Sequence, residues 1–299
     1  MDRLPAVSGS DLACWRTRAR QQAMAAGIDP TEVDWLLREG AGLDTLTLRL
    51  GTFASRPQVL LERPLAELDR LWQRRVSERV PVQYLIGQTP WRDFTLHVSP
   101  AVLIPRPETE ELVELAIATT CGRPDLARGH WADLGTGSGA IAIALAAALP
   151  SATIHATDIE ADALKVARAN ASTAGVGDRV RFYCGSWYEP LAHLRGRLSG
   201  CVSNPPYIPS HEIDCLQPEV ARHEPRRALD GGVDGLDCVR HAIATAPSYL
   251  HAGGVWLCEL MAGQAPTVLQ LLVANGSYND TRSAYDLAGI ERVVLATRR

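Results

Sequence analysis

Asp133-Leu134-Gly135-Thr136-Gly137-Ser138-Gly139 is the stretch that decides the fold of this 299-residue chain. It closes an apolar segment at 130–134, which predicts a strand, and it opens another at 138–149, which predicts a helix. Glycines at such a junction let the backbone approach a ligand closely, while amide hydrogens of the helix start face that ligand. The stretch therefore predicts a nucleotide-cofactor loop.

An acidic residue stands where such a loop needs one. Asp158 ends the next predicted strand, 152–158, and a carboxylate at that place can accept hydrogen bonds from both hydroxyls of a ribose. Gly135, Gly137 and Ala140 also satisfy the dinucleotide pattern G-x-G-x-x-G/A. The loop by itself therefore leaves NAD and S-adenosylmethionine both open.

Strand and helix patterns alternate along the second part of the chain. Alternation of this kind predicts a mostly parallel sheet with helices on both faces. The two last segments, 278–285 and 291–296, are expected to form a closing antiparallel pair. The predicted helices are 108–119, 138–149, 161–173 and 235–249, and the predicted strands are 130–134, 152–158, 180–184, 200–203 and 254–259.

The first 80 or so residues differ in character. Their apolar residues fall at helical spacing, with helix ends expected at Gly27 and Gly40, further helices around 44–50 and 65–79, and no strand pattern. Phe94, Leu96 and Val98 then alternate with polar residues, and a second extended piece follows at 101–104. We expect a small helical bundle followed by a β-hairpin connector.

Composition bounds the possible functions. The chain is 46% hydrophobic and 21% charged, as is usual for a globular protein. Its net charge of -4 argues against a protein whose main role is to bind nucleic-acid phosphates. Seven cysteines without a C-x-x-C pair fit reduced thiols, and eight histidines without H-x-x-H spacing suggest no metal site. The longest apolar run, 140–149, is about half of the roughly 20 residues that span a bilayer, so we expect no membrane segment and a cytoplasmic location.

Asn204-Pro205-Pro206-Tyr207 follows the predicted strand 200–203, at the sheet edge where open α/β sheets bind ligands. The lone pair of an amide or aromatic amine nitrogen is delocalised, so a catalyst must hold the two hydrogens aside with acceptors. The Asn204 side-chain oxygen can accept one hydrogen, and the Pro205 carbonyl, held stiffly by consecutive prolines, can accept the other. Tyr207 can offer a flat face for stacking. This motif favours methyl transfer to nitrogen.

Taken together, these motifs resemble an S-adenosylmethionine-dependent N-methyltransferase with a Rossmann-like seven-stranded class I domain. Further stretches resemble the family of protein-glutamine N5-methyltransferases that act on peptide-chain release factors. The resemblance runs from about Pro81 to the end, and it departs at Met261 and Ala265, where relatives tend to have glycine. The stretches are 81–87 (PVQYLIG), 103–110 (LIPRPETE), 223–225 (HEP), 228–229 (AL), 231–232 (GG) and 288–292 (AGIER).

The resemblance implies a domain plan and a set of site residues. The plan is a helical substrate-docking domain at 1–85, a β-hairpin linker at 86–107 and the methyltransferase domain at 108–299. The implied catalytic residues are Asn204, Pro205, Pro206 and Tyr207, which with Arg106 and Glu108 also form the substrate pocket. The implied cofactor-binding residues are Asp133, Gly135, Thr136, Gly137, Ser138, Gly139, Asp158, Ile159, Trp187 and Asn204.

The resemblance also implies the reaction and its partners. The methyl group of S-adenosylmethionine goes to the glutamine of a Gly-Gly-Gln tripeptide in class 1 release factors, and S-adenosylhomocysteine is left as product. No metal, membrane or direct nucleic-acid contact is expected, and we expect a monomer. Three enzyme alternatives remain: a glutamine methyltransferase acting on a ribosomal protein, a DNA adenine N6-methyltransferase with the same four-residue motif, and an oxidoreductase that would leave Asn204 to Tyr207 unused. A non-catalytic binding protein is the fourth alternative.

Overall fold

The structure is a computed structural model and describes residues 4–299. The chain divides into two compact units. One contains the described residues up to Gln88 together with Pro218–His223, and the other contains Thr89–Gln217 and Glu224–Arg299.

The first unit is mainly helical. Its core contains Trp15, Leu37 and Trp72, which are almost completely buried. Helices begin where polar side chains satisfy free amides: the Ser8 hydroxyl accepts from the Asp11 amide, and the Asp44 carboxylate accepts from the Thr47 amide. Its elements up to residue 86 are β1 (Ala6–Val7), α1 (Gly9–Ala25), α2 (Thr31–Ala41), α3 (Thr45–Leu50), β2 (Val59–Leu60), α4 (Leu65–Glu78) and α5 (Val82–Ile86).

Two details of this unit differ from the sequence prediction. A short antiparallel pair, β1 with β2, is present where no strand was expected. Helix α2 continues past Gly40 to Ala41 and ends at Gly42, whose φ of 75° is left-handed. Gly40 is instead a packing position, because an added Cβ would lie 2.8 Å from the Ile86 side chain. Helix α2 therefore ends at Gly42, which adopts the left-handed conformation, and not at Gly40, the first glycine of the segment.

The rest of the chain alternates strands and helices, which confirms the predicted fold class. Its elements are β3 (Gln88–Trp91), β4 (Phe94–His97), α6 (Thr109–Thr119), α7 (Pro124–Ala127), β5 (His130–Leu134), α8 (Ala140–Ala148), β6 (Thr153–Asp158), α9 (Ala161–Thr173), β7 (Val180–Cys184), β8 (Leu198–Ser203), α10 (Pro218–His223), α11 (Asp237–Thr245), β9 (Leu250–Glu259), α12 (Ala265–Asn275), β10 (Tyr278–Tyr285) and β11 (Glu291–Arg298).

A seven-stranded sheet organises the second unit, with strand order β10-β11-β9-β8-β5-β6-β7. The five strands from β9 to β7 are parallel, and the closing pair β10–β11 is antiparallel, as predicted. Separate apolar cores cover the sheet, one including Leu112 and Ile141 and the other including Val239 and Val268. Because the five central strands run the same way, their carboxyl ends meet at one edge, where ligands bind in open α/β sheets.

The hairpin prediction was wrong in its pairing. β4 pairs with β3, the preceding segment, whereas 101–104 forms no strand. Ala101, Val102 and Leu103 instead line a cavity. Helix α12 was also not predicted, although its buried residues Ala265, Val268 and Leu272 have helical spacing.

Close packing between β5 and β8 makes a stability prediction. A Cβ at Gly200 would lie 2.3 Å from the Trp131 ring, which is fully buried, so Gly200→Ala must displace core atoms. We expect it to lower the free energy of unfolding by about 1–3 kcal/mol, measured by urea unfolding followed by circular dichroism. Gly177→Ala is the control, since its Cβ would meet no atom closer than 3.6 Å. Equal unfolding curves for the two variants would contradict the prediction.

Candidate active site

The glycine-rich loop lies between β5 and α8 in a conformation that requires glycine. Gly135, Gly137 and Gly139 have φ values of 72°, 53° and 85°, all left-handed. A Cβ at Gly135 or Gly137 would meet no atom within 4 Å, whereas one at Gly139 would lie 3.1 Å from the Ala167 Cβ. The first two glycines therefore face open space, and the third allows the loop to pack against α9.

Asp133 supports this loop from beneath. Its side chain is fully buried, and Oδ2 accepts hydrogen bonds from the Thr136 hydroxyl at 2.6 Å and the Ala142 amide at 3.1 Å. Burial raises the pKa of Asp133 to about 7, although those two hydrogen bonds oppose the rise. The structure places Asp133 outside the cavity lining, where it holds the loop and the start of α8 together.

Asp158 ties the end of β6 to the same loop. Its Oδ2 accepts from the Gly137 amide at 2.9 Å, and its Oδ1 accepts from the Glu160 amide at 2.9 Å. Burial raises the pKa of Asp158, and the hydrogen bonds from these amides act in the opposite direction. The loop amides and this carboxylate thus form one rim of the site.

A cavity of about 600 Å³ opens above the rim, within the range of small-molecule sites. Ten of the residues predicted for the site line it, and the remaining five do not. The lining residues are Arg106, Gly135, Thr136, Gly137, Ser138, Asp158, Ile159, Trp187, Asn204 and Pro206; the five outside it are Glu108, Asp133, Gly139, Pro205 and Tyr207. Arg226, Arg227 and Cys238 also line the cavity, without having been predicted.

Asn204 follows β8, and a hydrogen bond fixes its side chain. The Nδ2 atom of Asn204 donates to the Thr109 hydroxyl oxygen at 3.0 Å, and Thr109 is buried at the start of α6. With Nδ2 held by this bond, Oδ1 is the end of the amide that remains to accept a hydrogen from a ligand in the cavity.

Tyr207 is not among the residues that line the cavity. Its hydroxyl donates to Glu259 Oε1 at 3.2 Å, and its backbone carbonyl accepts from Gln264 Nε2 at 2.9 Å. Glu259, the last residue of β9, is almost fully buried. Burial raises the pKa of Glu259 to about 7, while the Thr109 and Tyr207 hydroxyls and the charge of Arg292 oppose the rise.

The sequence predicts that Arg106 and Glu108 both belong to the substrate pocket; in the structure Arg106 lines the cavity and Glu108 does not. Arg106 donates to Glu224 Oε1 at 2.5 Å, and the Glu224 side chain is only 1% exposed. Burial raises the pKa of Glu224, and the charge of Arg106 opposes this. Glu108 is exposed and does not line the cavity.

The sequence did not predict the contacts that Thr109, Glu224, Glu259 and Gln264 make at the site. Glu259 had a detectable signal, because it ends a predicted strand beside the one that leads into Asn204. The other three meet their partners only through contacts with residues distant in sequence, although Thr109 also lines the cavity and Thr109 and Glu224 lie in the stretches 103–110 and 223–225 that carry the resemblance. Among residues 4–299, no group of three side chains is arranged to hold a metal ion. In that same part of the chain, no helix is both long and apolar enough to cross a membrane.

Comparison with known proteins agrees with this fold. The methyltransferase small domain family matches residues 117–223. The solved hMettl16 catalytic domain, in complex with a MAT2A 3′UTR hairpin, has a TM-score of 0.57 at 14% identity and covers 72% of this chain and 80% of that chain, which is a likeness of fold alone. The fold and the site together define a Rossmann-like class I methyltransferase.

Closer relatives specify the family. A release factor glutamine methyltransferase of Synechocystis sp. is 52% identical over 97% of this chain and 97% of its own length. One from Thermosynechococcus vestitus is 50% identical over 89% of this chain and 90% of its own. The chain therefore belongs to the release factor glutamine methyltransferase family, which confirms the resemblance found in the sequence.

The buried Asp133 makes a prediction about stability and pH. Because its pKa in the fold is about 7, against 3.8 ordinarily, the unfolded chain ionises first as pH rises. Asp133 therefore lowers the free energy of unfolding progressively between about pH 4 and 7, and no further above that. Measured by urea unfolding at each pH, the difference between the parent and Asp133→Asn should change by about 1–4 kcal/mol across this window. Parallel curves would contradict the prediction, since all other titrating groups are shared.

Proposed function

We propose that the chain transfers the methyl group of S-adenosylmethionine to the side-chain amide nitrogen, N5, of the glutamine in the Gly-Gly-Gln tripeptide of class 1 release factors. Family membership supports the choice of substrate. The hydrogen bond that fixes the Asn204 amide, with its oxygen left to accept from a ligand, is the observation that carries the chemistry.

The site residues fit the proposed cofactor. Gly135 and Gly137 leave space in which a Cβ would otherwise stand, and Asp158 offers a carboxylate on the same rim. Trp187 and Ile159 supply apolar surface to a cavity that is large enough for a nucleoside. In the proposal, the loop amides and Asp158 hold the ribose and amino-acid parts, and Trp187 packs near the adenine. When bound, S-adenosylmethionine supplies an electrophilic methyl group on a sulfonium.

The chain's own residues would make the substrate nitrogen reactive by holding it. Asn204 Oδ1 accepts one hydrogen of the glutamine amide, and the Pro205 carbonyl accepts the other, so the nitrogen lone pair is exposed to the methyl group. Arg106, anchored by Glu224, borders the pocket that receives the glutamine. Catalysis then depends on proximity and preorganised acceptors rather than on a strong base. The extra proton leaves after transfer.

We further propose that the helical part of the chain, up to about residue 85, docks the release factor, and that a monomer acts in the cytoplasm. The net charge of -4 favours a protein substrate over a nucleic acid. Neither a metal nor a membrane enters the proposed reaction.

The direct test is incubation of the full chain with methyl-labelled S-adenosylmethionine and a class 1 release factor, followed by peptide mass spectrometry. One added methyl group on the glutamine of Gly-Gly-Gln is the expected result. Label on a ribosomal protein and none on the release factor would overturn the proposed substrate. Label on neither, with cofactor binding intact, would overturn glutamine methylation.

Asn204→Ala should lose most turnover, because it removes the acceptor that holds the substrate amide. We expect the free energy of activation to rise by about 2–4 kcal/mol, measured from the rate of release-factor labelling, with a smaller change in cofactor affinity. Asn275→Ala, at an exposed helix end, is the matched control. Turnover by Asn204→Ala close to that of the control would refute the role of Asn204.

Asp158→Ala should mainly weaken cofactor binding, because it removes the carboxylate proposed to accept from the ribose. We expect the dissociation constant of S-adenosylhomocysteine, measured by calorimetry, to rise about tenfold or more. Asp162→Ala removes an exposed carboxylate on the neighbouring helix and should leave that constant unchanged. An Asp158 variant with the parent's affinity would show that the ribose is held elsewhere.

A further inference from the structure

Glu259 is a buried carboxyl group that the proposed reaction does not use. It ends β9, and the register of that strand pairs Cys258 with Ser203, so Glu259 lies beside the residue that follows β8, Asn204. Its side chain is almost inaccessible to solvent. A carboxyl group is costly to bury unless hydrogen bonds or charges stabilise it, so its partners indicate its purpose.

Those partners connect Glu259 to the motif that holds the substrate amide. The Tyr207 hydroxyl donates to Glu259 Oε1 at 3.2 Å. The Thr109 hydroxyl lies near the carboxylate and lowers its pKa. Within residues 4–299, no hydrogen bond reaches the other carboxylate oxygen, Oε2, which is buried. Thr109 in turn accepts from Asn204 Nδ2 at 3.0 Å. Donation of the Thr109 hydrogen to that unpaired Oε2 would complete a chain of hydrogen bonds from Asn204 through Thr109 to Glu259.

The direction of this chain matters because a hydroxyl has only one hydrogen. When Thr109 donates that hydrogen to an ionised Glu259, its oxygen is left to accept from Asn204 Nδ2, and Asn204 Oδ1 then faces the cavity. A protonated Glu259 can itself donate to Thr109. The Thr109 hydrogen is then free to turn to Asn204, which favours the flipped amide with its NH₂ group toward the substrate. A flipped Asn204 cannot accept the hydrogen of a glutamine amide.

We propose that Glu259 is a positioning residue, whose carboxylate acts through Thr109 to fix the orientation of the Asn204 amide for catalysis. The inference rests on the proposed methyl transfer to glutamine. Through Tyr207, the same carboxylate also holds the other end of the motif.

The electrostatic surroundings give this role a pH dependence. Arg292 on β11 and Glu108 before α6 face Glu259 along with the Tyr207 hydroxyl; Arg292 lowers the pKa of Glu259 and Glu108 raises it. Burial outweighs the groups that lower it and brings the pKa to about 7. Since the ionised form orients Asn204, kcat should rise with pH through about 7 and then level off.

The experiment measures kcat, KM and the pH profile of release-factor labelling for Glu259→Gln, Thr109→Val and the double variant. Glu259→Gln preserves shape but can donate as well as accept, so kcat should fall about tenfold or more and the rise near pH 7 should disappear. Thr109→Val should lose a similar factor, and the double variant should be little worse than either, because all interrupt one chain. Thr109→Ser, which keeps the hydroxyl, should retain more turnover than Thr109→Val.

Two controls separate positioning from damage to the fold. Affinity for S-adenosylhomocysteine should stay at the parent value in Glu259→Gln, and Glu114→Gln, at a 56% exposed side chain of α6, should leave kcat and the pH profile unchanged. If Glu259→Gln kept the kcat and pH profile of the parent, the role of Glu259 would be refuted while the proposed function stood. The same would follow if the losses of kcat in the two single variants multiplied in the double variant. A parent chain that labels no release factor would overturn the proposed function and this inference with it.

Discussion

The parallel alignment of β5, β6, β8 and β9 is the constraint on which the site depends. Each of these strands ends at a loop or residue of the candidate site. Because the four strands run in the same direction, their ends meet at one edge of the sheet. The glycine loop follows β5, Asp158 ends β6, Asn204 follows β8 and Glu259 ends β9. Residues far apart in sequence therefore converge without a long loop to position them, and the strands hold them rigidly.

Buried carboxyl groups hold parts of the candidate site in place. Asp133 lies beneath the glycine loop, Glu224 anchors Arg106, and Glu259 lies behind Asn204 and Tyr207. Burial raises the pKa of each of them. Burying these carboxyl groups is electrostatically costly, but the hydrogen bonds that they accept hold their partners in fixed positions. Fixed acceptors are what the proposed methyl transfer requires.

An ionic cluster fixes a later segment of the chain within the first unit. Glu219 on α10 accepts from Arg75 and Arg79 at 2.7 Å each, and Arg75, almost fully buried, also pairs with Glu32 at 2.6 Å. The segment that leads from the Asn204 motif to Glu224 is therefore folded, at 218–223, as part of the helical unit. Each ion pair that a buried guanidinium makes offsets part of the cost of burying it, so these contacts favour this placement of α10.

The sequence by itself determined the class of protein and the residues proposed for its site. The glycine loop, Asp158 and the motif from Asn204 to Tyr207 are local patterns whose chemistry follows from residue type and from their place after a strand. Tertiary structure alone decided how those groups are oriented. Thr109 meets Asn204 across 95 residues, Tyr207 meets Glu259 across 52, and Arg106 meets Glu224 across 118. The pairing of β4 with β3, and not with 101–104, was likewise decided only by the tertiary structure. The spacing of residues along the sequence cannot predict such contacts, because they form only when the sheet assembles and brings its strand ends together.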